Sequence, residues 1–188
     1  RQRDLQMKKI NTLLIALGLG LSASAGINHP SLLFTPQRVE AAKKSLGTDT
    51  AMTSAWQKIL AEADLQLEKG DVRKLEYPAL AYQMTGDRKY ADKIREVLLK
   101  TAKIKSWGDR EMLARRPAWR SELQMAHRAF QLALAYDAVY NTLSQADRKE
   151  IATGLYNLAV EPLLSDWIAE PTRIHLSLIH ISEPTRPY

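Results

Sequence analysis

The stretch from Trp119 to Tyr140 constrains the fold of this chain the most, because it is apolar on almost every side when it is wound as a helix. A helix of this kind is buried and has neighbours on more than one face. Charged residues interrupt the stretch, which argues against a membrane span. Its polar residues lie near its two ends, so we expect an all-α fold with a pocket at the helix ends.

Residues 7–25 have the three parts of a secretory signal peptide. Lys8 and Lys9 supply the basic start, residues 13–21 the short apolar run, and residues 23–25 (ASA) the cleavage site. Residues 1–6 are then upstream leader, and the expected location is periplasmic or secreted. The alternative, a buried N-terminal helix, is disfavoured by two glycines in the apolar run.

The chain contains no cysteine, which fits an exported protein without disulfides and leaves no residue for an N-terminal lipid anchor. After signal cleavage we expect no stable insertion into a membrane, because charged residues interrupt the long apolar stretch 119–140. The oligomeric state is left open.

Residues 176–188 have a foreign character. Residues 176–186 (LSLIHISEPTR) resemble one translated frame of an adapter used in DNA sequencing. We therefore expect residues 26–175 to be the native part, forming the N-terminal part of one helical domain in a longer protein. His180 carries no functional argument on this view.

Basic residues are concentrated in one region. Residues 26–175 contain 22 Lys and Arg against 19 Asp and Glu, a net charge of +3, whereas residues 87–128 contain 12 basic and 6 acidic residues. A field of this sign favours an anionic partner. For an exported protein we expect an acidic polysaccharide, and no nucleic acid. Alternatively, these basic residues form a solvated helix face and a basic loop and have no anionic partner.

Helical periodicity and capping signals divide the rest of the chain into antiparallel hairpins. We expect helices at about 36–46, 50–69, 77–85, 88–103, 119–141 and 144–167, with a loop at 104–117 and a kink at Pro162. Amphipathic helices alternate with apolar ones, and short turns join them. An apolar inner layer backed by an amphipathic outer layer predicts part of an incomplete (α/α) toroid, or a helical-repeat solenoid.

Several short motifs resemble the N-terminal domain of the heparinase II/III-like polysaccharide lyases. They agree with that family in order and spacing, and they are residues 29–35 (HPSLLFT), 84–90 (MTGDRKY), 119–123 (WRSEL), 134–137 (LAYD), 166–168 (DWI) and 173–175 (RIH). The resemblance covers residues 26–175. No single motif is specific, and the ordered set carries the resemblance.

The resemblance implies an incomplete toroid followed by β-sandwich domains, and β-elimination of a uronic-acid-containing polysaccharide such as heparin or heparan sulfate. In that chemistry, cationic groups neutralise the uronate carboxylate, and a Tyr or His base removes the C5 proton. The family's asparagine–histidine segment is expected beyond His175. We therefore predict that this chain has no complete catalytic set and no activity by itself.

Candidate substrate-binding residues lie around the start of the apolar helix. Arg115 and Arg116 could hold a carboxylate or sulfate in a bidentate contact, or could form a solvated pair. Trp119 could stack on a sugar ring, or anchor the core, and Trp107 is a weaker candidate of the same kind. Arg120 could bind the substrate, or pair with Glu122 or another acid.

Two further candidates lie inside the helix. His127 could act on the substrate or could be a satisfied core residue. Tyr136 could line a cleft, but with Asp137 it is more typical of a buried pair that ties helix ends together. No metal-ligand spacing and no glycine-rich phosphate loop is present, so we expect neither a metal nor another cofactor.

Two other functions remain open. A glycoside hydrolase on a similar toroid would need two carboxylates, and the available acids are Asp109, Glu111, Glu122 and Asp137. The second alternative is a non-catalytic helical-repeat module that binds glycans. Modules of this kind at the outer membrane would carry a lipid-anchor cysteine, which this chain lacks.

Overall fold

The computed structural model describes residues 27–116 and 118–169, and the regular structure within them is entirely helical. This confirms the all-α prediction. The predicted leader, signal peptide and adapter-like tail lie outside the described residues, as does the 173–175 motif. Among the described residues, no helix is both long enough and apolar enough to span a bilayer.

Seven helices of the described part are labelled in chain order. They are α1 Pro36–Ser45, α2 Thr50–Lys69, α3 Glu76–Thr85, α4 Arg88–Ala102, α5 Arg110–Ala114, α6 Leu123–Val139 and α7 Gln145–Leu155. The chain continues helically from α7 through a π-helical turn Tyr156–Val160, an α-helical turn Glu161–Leu163 and a second π-helical segment Leu164–Ala169. We call residues 145–169 the C-terminal helix. Short 3-10 turns occur at Val72–Lys74 and Tyr140–Thr142.

The helix ends follow the capping residues. Thr35 accepts a hydrogen bond from the Arg38 N–H, and Ser144 accepts one from the Asp147 N–H, as their positions in the sequence predict. Gly86 ends α3 in the left-handed region (φ +74°), which a glycine adopts without a Cβ penalty. The turn that follows is short, so α3 and α4 form an antiparallel hairpin.

Successive helices pack on one another around a common core. α3 packs against α2, α4 and α6, and α4 packs against α6 and α7 as well. Two ion pairs join α4 and its C-terminal end to α7: Arg95 binds Asp147 through two hydrogen bonds of 2.9 and 3.0 Å, and Lys103 lies 3.0 Å from Glu150. The largest fully buried apolar side chains of the core are those of Tyr90, Leu75, Ile94, Leu98, Met125, Leu132 and Ile151.

Asp137 fastens the N-terminal segment to α6. Its carboxylate is 4% exposed and accepts hydrogen bonds from the backbone N–H groups of Ser31 and Leu32, at 2.9 to 3.1 Å. The His29 ring nitrogen Nδ1 lies 2.6 Å from the same carboxylate, and that ring stacks on Tyr140. Asp137 therefore has the tying role that the sequence favours for it, although its partners lie more than 100 residues away.

The expectation that residues 119–140 form one helix buried on every side is wrong in two respects. The helix begins at Leu123, because Glu122 caps it by accepting the N–H groups of Gln124 and Met125. Its first two turns also expose one face, where Leu123 and Phe130 are 66% and 62% exposed. In the second half of α6, by contrast, the buried residues are Leu132, Leu134, Ala135, Asp137, Ala138 and Val139.

Two further differences concern residues 104–169. The predicted loop at 104–117 contains α5, which Asp109 caps by accepting the N–H groups of Glu111 and Met112. Around Pro162, which lacks an N–H, the helix changes to π winding, and the Glu161 N–H donates to the carbonyl of Tyr156. The structure thus shows a change of winding where the sequence predicts a kink.

Gly154 allows α4 and α7 to approach closely, which generates a prediction. A Cβ at this position would lie 2.5 Å from the Cβ of Ala102 and 2.8 Å from its Cα. We expect Gly154→Ala to lower the free energy of unfolding by about 1–3 kcal/mol, because the clash with a backbone outweighs the better helix propensity of alanine. Urea denaturation followed by circular dichroism measures the change.

The matched control is Gly47→Ala, in an exposed turn where a Cβ would meet nothing within 4 Å. Its free energy of unfolding should stay within about 0.5 kcal/mol of wild type. Equal stability of the two variants would contradict the close packing of α4 on α7.

A second prediction concerns pH. Burial by itself would raise the pKa of Asp137, but the N–H groups of Leu32 and Ser31, together with His29, hold that pKa below its ordinary value. The resulting stability is complete above the pKa of an unfolded aspartate, about 4, and is lost as the pH falls through the lower pKa of the folded state. Asp137→Asn should therefore have a lower free energy of unfolding than wild type at neutral pH, and the difference between the two proteins should become smaller in acid. Denaturant titrations at a series of pH values measure this difference, and a difference that does not change with pH would contradict the prediction.

Candidate functional site

A basic cleft opens between the segment 105–113 and the C-terminal helix. Its volume is about 580 Å³, and it is lined by Lys105, Ser106, Trp107, Gly108, Arg110, Leu113, Arg120, Asn157, Leu158 and Pro162. Three of these side chains are cationic, and the lining that the structure describes includes no carboxylate. The remaining lining combines an apolar floor with the hydroxyl of Ser106 and the amide of Asn157. An anion with an apolar face matches such a surface.

Lys105 and Arg110 supply the available charge of the cleft. Both side chains are exposed, and neither forms an ion pair or hydrogen bond with the residues that the structure describes. Much of the surrounding basic excess is compensated, because half of the 12 basic residues in 87–128 are paired with acids; these are Arg88, Lys89, Lys93, Arg95, Lys103 and Arg120. Lys105 and Arg110 therefore remain without an ion-pair partner among the described residues.

Arg120 lines the cleft but is already paired. Its Nη1 and Nη2 atoms donate to the two carboxylate oxygens of Glu161 at 2.8 and 3.1 Å, and its Nε lies 4.0 Å from Asp166. This is the pairing with an acid elsewhere in the chain that the sequence analysis gave as the alternative to substrate binding. A ligand would have to compete with Glu161 for this guanidinium.

Asp166 holds the segment before α6 against the C-terminal helix. Its carboxylate is 2% exposed and accepts the backbone N–H groups of Arg120 and Ser121 at 2.6 and 2.9 Å, and the Ser121 hydroxyl at 3.1 Å. The indole N–H of Trp167 donates to the same hydroxyl at 2.8 Å. This network fixes the wall of the cleft on which Arg120 lies.

The two tryptophans proposed as candidates have packing roles. Trp119 lies edge-on against Trp167, with ring centroids 5.8 Å apart, and it does not line the cleft. Trp107 is 3% exposed, and its indole N–H donates to the Thr101 carbonyl at 3.1 Å, so it anchors the loop and contributes only an edge to the cleft floor. The Arg128 guanidinium donates to the Trp107 carbonyl at 3.1 Å and holds the same loop.

Arg115 and Arg116 are exposed and do not line the cleft. The Arg116 guanidinium donates to the carbonyls of Ala114 and Arg115 at 3.1 and 2.9 Å, which caps the end of α5. The structure therefore places Arg115 and Arg116 at the surface, and neither residue is part of the cleft.

The two candidates inside α6 lie away from the cleft. His127 is on the exposed face of the helix, next to Phe130. The Tyr136 hydroxyl donates to the Arg148 carbonyl at 3.3 Å, and burial raises the pKa of that phenol. Because Leu123 and Tyr136 are separated by roughly 20 Å along the helix axis, Tyr136 and Arg120 do not belong to one site.

A partly buried carboxyl group outside the sequence candidates belongs to Glu76, the first residue of α3. The Glu76 side chain has one oxygen, Oε2, that is buried without a hydrogen-bond partner among the described residues, and burial raises the pKa of this carboxyl. The Glu76 N–H donates to the Gln131 side chain at 3.3 Å. Glu76 does not line the cleft, and a raised pKa of this kind is a general feature of buried carboxyl groups.

Several residues of the cleft and its wall are not among the candidates that the sequence suggests. Lys105 and Arg110 belong to the basic excess without being singled out by it, Asn157 lines the cleft, and Glu161 pairs with Arg120 beside it. The available signal was the local basic excess itself, to which both Lys105 and Arg110 belong. Asn157 and Glu161 could not be found in this way, because only the packing of the C-terminal helix brings them to the loop.

The described residues contain no group of three or more His, Asp or Glu side chains arranged to hold a metal ion. Comparison with models of known protein families gives no match, and comparison with curated proteins gives no significantly similar sequence. The fold and the cleft thus define this molecule as an all-helical protein with a basic surface cleft. The resemblance to polysaccharide lyases stays a prediction.

The network around Asp166 generates a prediction. Asp166→Ala removes the acceptor for two backbone N–H groups and a hydroxyl, and it should lower the free energy of unfolding by about 3 kcal/mol. Glu161→Gln, which weakens only a half-exposed ion pair, should cost less than about 1 kcal/mol. Denaturation followed by tryptophan fluorescence measures both changes, and similar losses in the two variants would contradict the anchoring role of Asp166.

Proposed function

We propose that this chain is the N-terminal helical part of a secreted polysaccharide lyase that cleaves a uronic-acid-containing polysaccharide by β-elimination. On this proposal the packed helices belong to an incomplete (α/α) toroid, and the basic cleft binds the anionic polymer. The observation that carries the proposal is the pair of cations Lys105 and Arg110, which have no partner among the described residues and lie in an open cleft whose described lining includes no carboxylate.

The geometry of the cleft suits a sugar acid. A carboxylate or sulfate group can receive charge-assisted hydrogen bonds from Lys105 and Arg110. The amide of Asn157 and the hydroxyl of Ser106 can bind sugar hydroxyl groups, and the apolar floor at Leu158 and Pro162 can pack against a ring face. These are the contacts that a uronic acid in a polymer offers.

Elimination needs more than this cleft supplies. A base must remove the C5 proton, and an acid must protonate the leaving oxygen. The residues that line the cleft include no Tyr, His, Asp or Glu within the part of the chain that the structure describes. We therefore infer that these residues bind the polymer and neutralise its charge, and that the chain by itself binds without cleaving.

The glycoside hydrolase alternative is less well supported. Three of the four acids considered for it have structural roles: Asp109 caps α5, Glu122 caps α6, and Asp137 holds the N-terminal segment. Glu111 is exposed and does not line the cleft. A pair of carboxylates on either side of a scissile bond is therefore not formed by these residues. The third possibility, a non-catalytic glycan-binding module, shares the binding step with the lyase proposal.

Calorimetric titration of the chain with heparin oligosaccharides tests the proposal. We expect binding that weakens as salt is added, and no binding of a neutral dextran of matched size. The double variant Lys105→Ala/Arg110→Ala should bind about tenfold more weakly, because two charge-assisted contacts are lost. Ultraviolet absorbance of an unsaturated uronate should not appear during incubation with the chain alone.

The control is the double variant Lys43→Ala/Lys58→Ala, which removes the same charge from exposed positions outside the cleft. It should bind like wild type. Equal weakening in both double variants would show that only net charge matters, and an absence of binding to any anionic oligosaccharide would overturn the proposed function.

A further inference from the structure

A second depression adjoins the basic cleft. Its volume is about 540 Å³, and its lining includes Lys149, Thr153, Gly154, Asn157 and Leu158. Asn157 and Leu158 also line the basic cleft, so the two depressions meet at these side chains. Together they form a groove along one face of the C-terminal helix, which we call the extended groove.

The far end of the extended groove has its own available cation. Lys149 is exposed, and its ammonium group makes no ion pair or hydrogen bond with the described residues. The carboxylate of Glu150 also lines this depression, and it lies 3.0 Å from the Lys103 ammonium. Lys149, Glu150 and Lys103 together therefore carry one net positive charge at this end of the groove.

The middle of the extended groove is polar but uncharged. Asn157 is exposed, and its amide can donate to and accept from sugar hydroxyl groups. The Thr153 hydroxyl donates to the Lys149 carbonyl at 2.7 Å and keeps acceptor capacity. Neutral hydrogen-bonding groups thus lie between Lys149 in one depression and the cations Lys105 and Arg110 in the other.

The spacing of the two ends selects the shape of the ligand. Lys149 and Pro162 are separated by roughly 20 Å along the helix, which is far longer than one sugar acid. A small anion can occupy only one end, whereas an extended polymer with charges at intervals can contact both. The C-terminal helix is a shared wall of both depressions, whereas Lys105 and Arg110 lie on the segment 105–113 opposite it.

We propose that the extended groove binds a linear acidic oligosaccharide across both depressions, with Lys149 as the cation of a second, remote anion subsite. This inference rests on the proposed function, because it assumes that the basic cleft holds part of the same polymer. It adds a requirement on ligand length that the basic cleft alone does not impose.

Calorimetric titration with a heparin tetrasaccharide and a heparin dodecasaccharide tests the inference. Wild type should bind the longer oligosaccharide more tightly at equal concentration of disaccharide units. Lys149→Ala should weaken binding of the dodecasaccharide about threefold to tenfold and leave the tetrasaccharide unchanged, and Lys149→Arg should restore the tighter binding. Lys58→Ala removes the same charge from outside the groove and is the matched control.

The outcomes separate this inference from the proposed function. Length-dependent binding that Lys149→Ala abolishes, and Lys58→Ala does not, supports the remote subsite. The remote subsite is wrong if both oligosaccharides bind with equal affinity per disaccharide unit, or if Lys149→Ala binds like Lys58→Ala. In either case the proposed function of the basic cleft is unaffected. If neither oligosaccharide binds to wild type, the proposed function fails and this inference fails with it.

Discussion

Two buried carboxylates hold the extended parts of this chain to its helices. Asp137 accepts the N–H groups of Ser31 and Leu32, and Asp166 accepts those of Arg120 and Ser121. A carboxylate that is 2–4% exposed is stable only if donors satisfy it, and buried backbone N–H groups need acceptors equally. Each carboxylate therefore needs the backbone N–H groups of the segment it binds, and that segment needs the carboxylate as an acceptor. Polar contacts thus join parts of the fold in addition to the apolar core.

The cleft depends on the second of these contacts. Asp166 fixes residues 120–121 on the C-terminal helix, and Trp107 and Arg128 fix the loop opposite. Lys105 and Arg110 then remain exposed on a surface whose shape is set by buried neighbours. Arg120 contributes differently, because Glu161 compensates its charge. A site with rigid walls and available cations can recognise an anion without prior rearrangement.

The number of basic residues in the sequence is larger than the number of cations that are available to bind a ligand. The excess of basic residues in 87–128 is visible in the sequence, but half of those residues form ion pairs, mostly on exposed helix faces where such pairs contribute little stability. Lys105 and Arg110 remain without an ion-pair partner among the described residues. The exposed apolar face of α6 at Leu123 and Phe130 is a separate feature, and it lies outside the cleft.

The sequence by itself determined the helical class, the caps at Thr35 and Ser144, and the alternation of apolar and amphipathic helices, because these depend on local spacing and capping. Only the tertiary structure decided which residues meet. Asp137 and Asp166 bind segments about 105 and 45 residues away, and Glu161 reaches Arg120 from the C-terminal helix. Local patterns contain no information on such pairings, so Trp119, His127 and Tyr136 could be named as candidates although packing places them apart from Lys105 and Arg110.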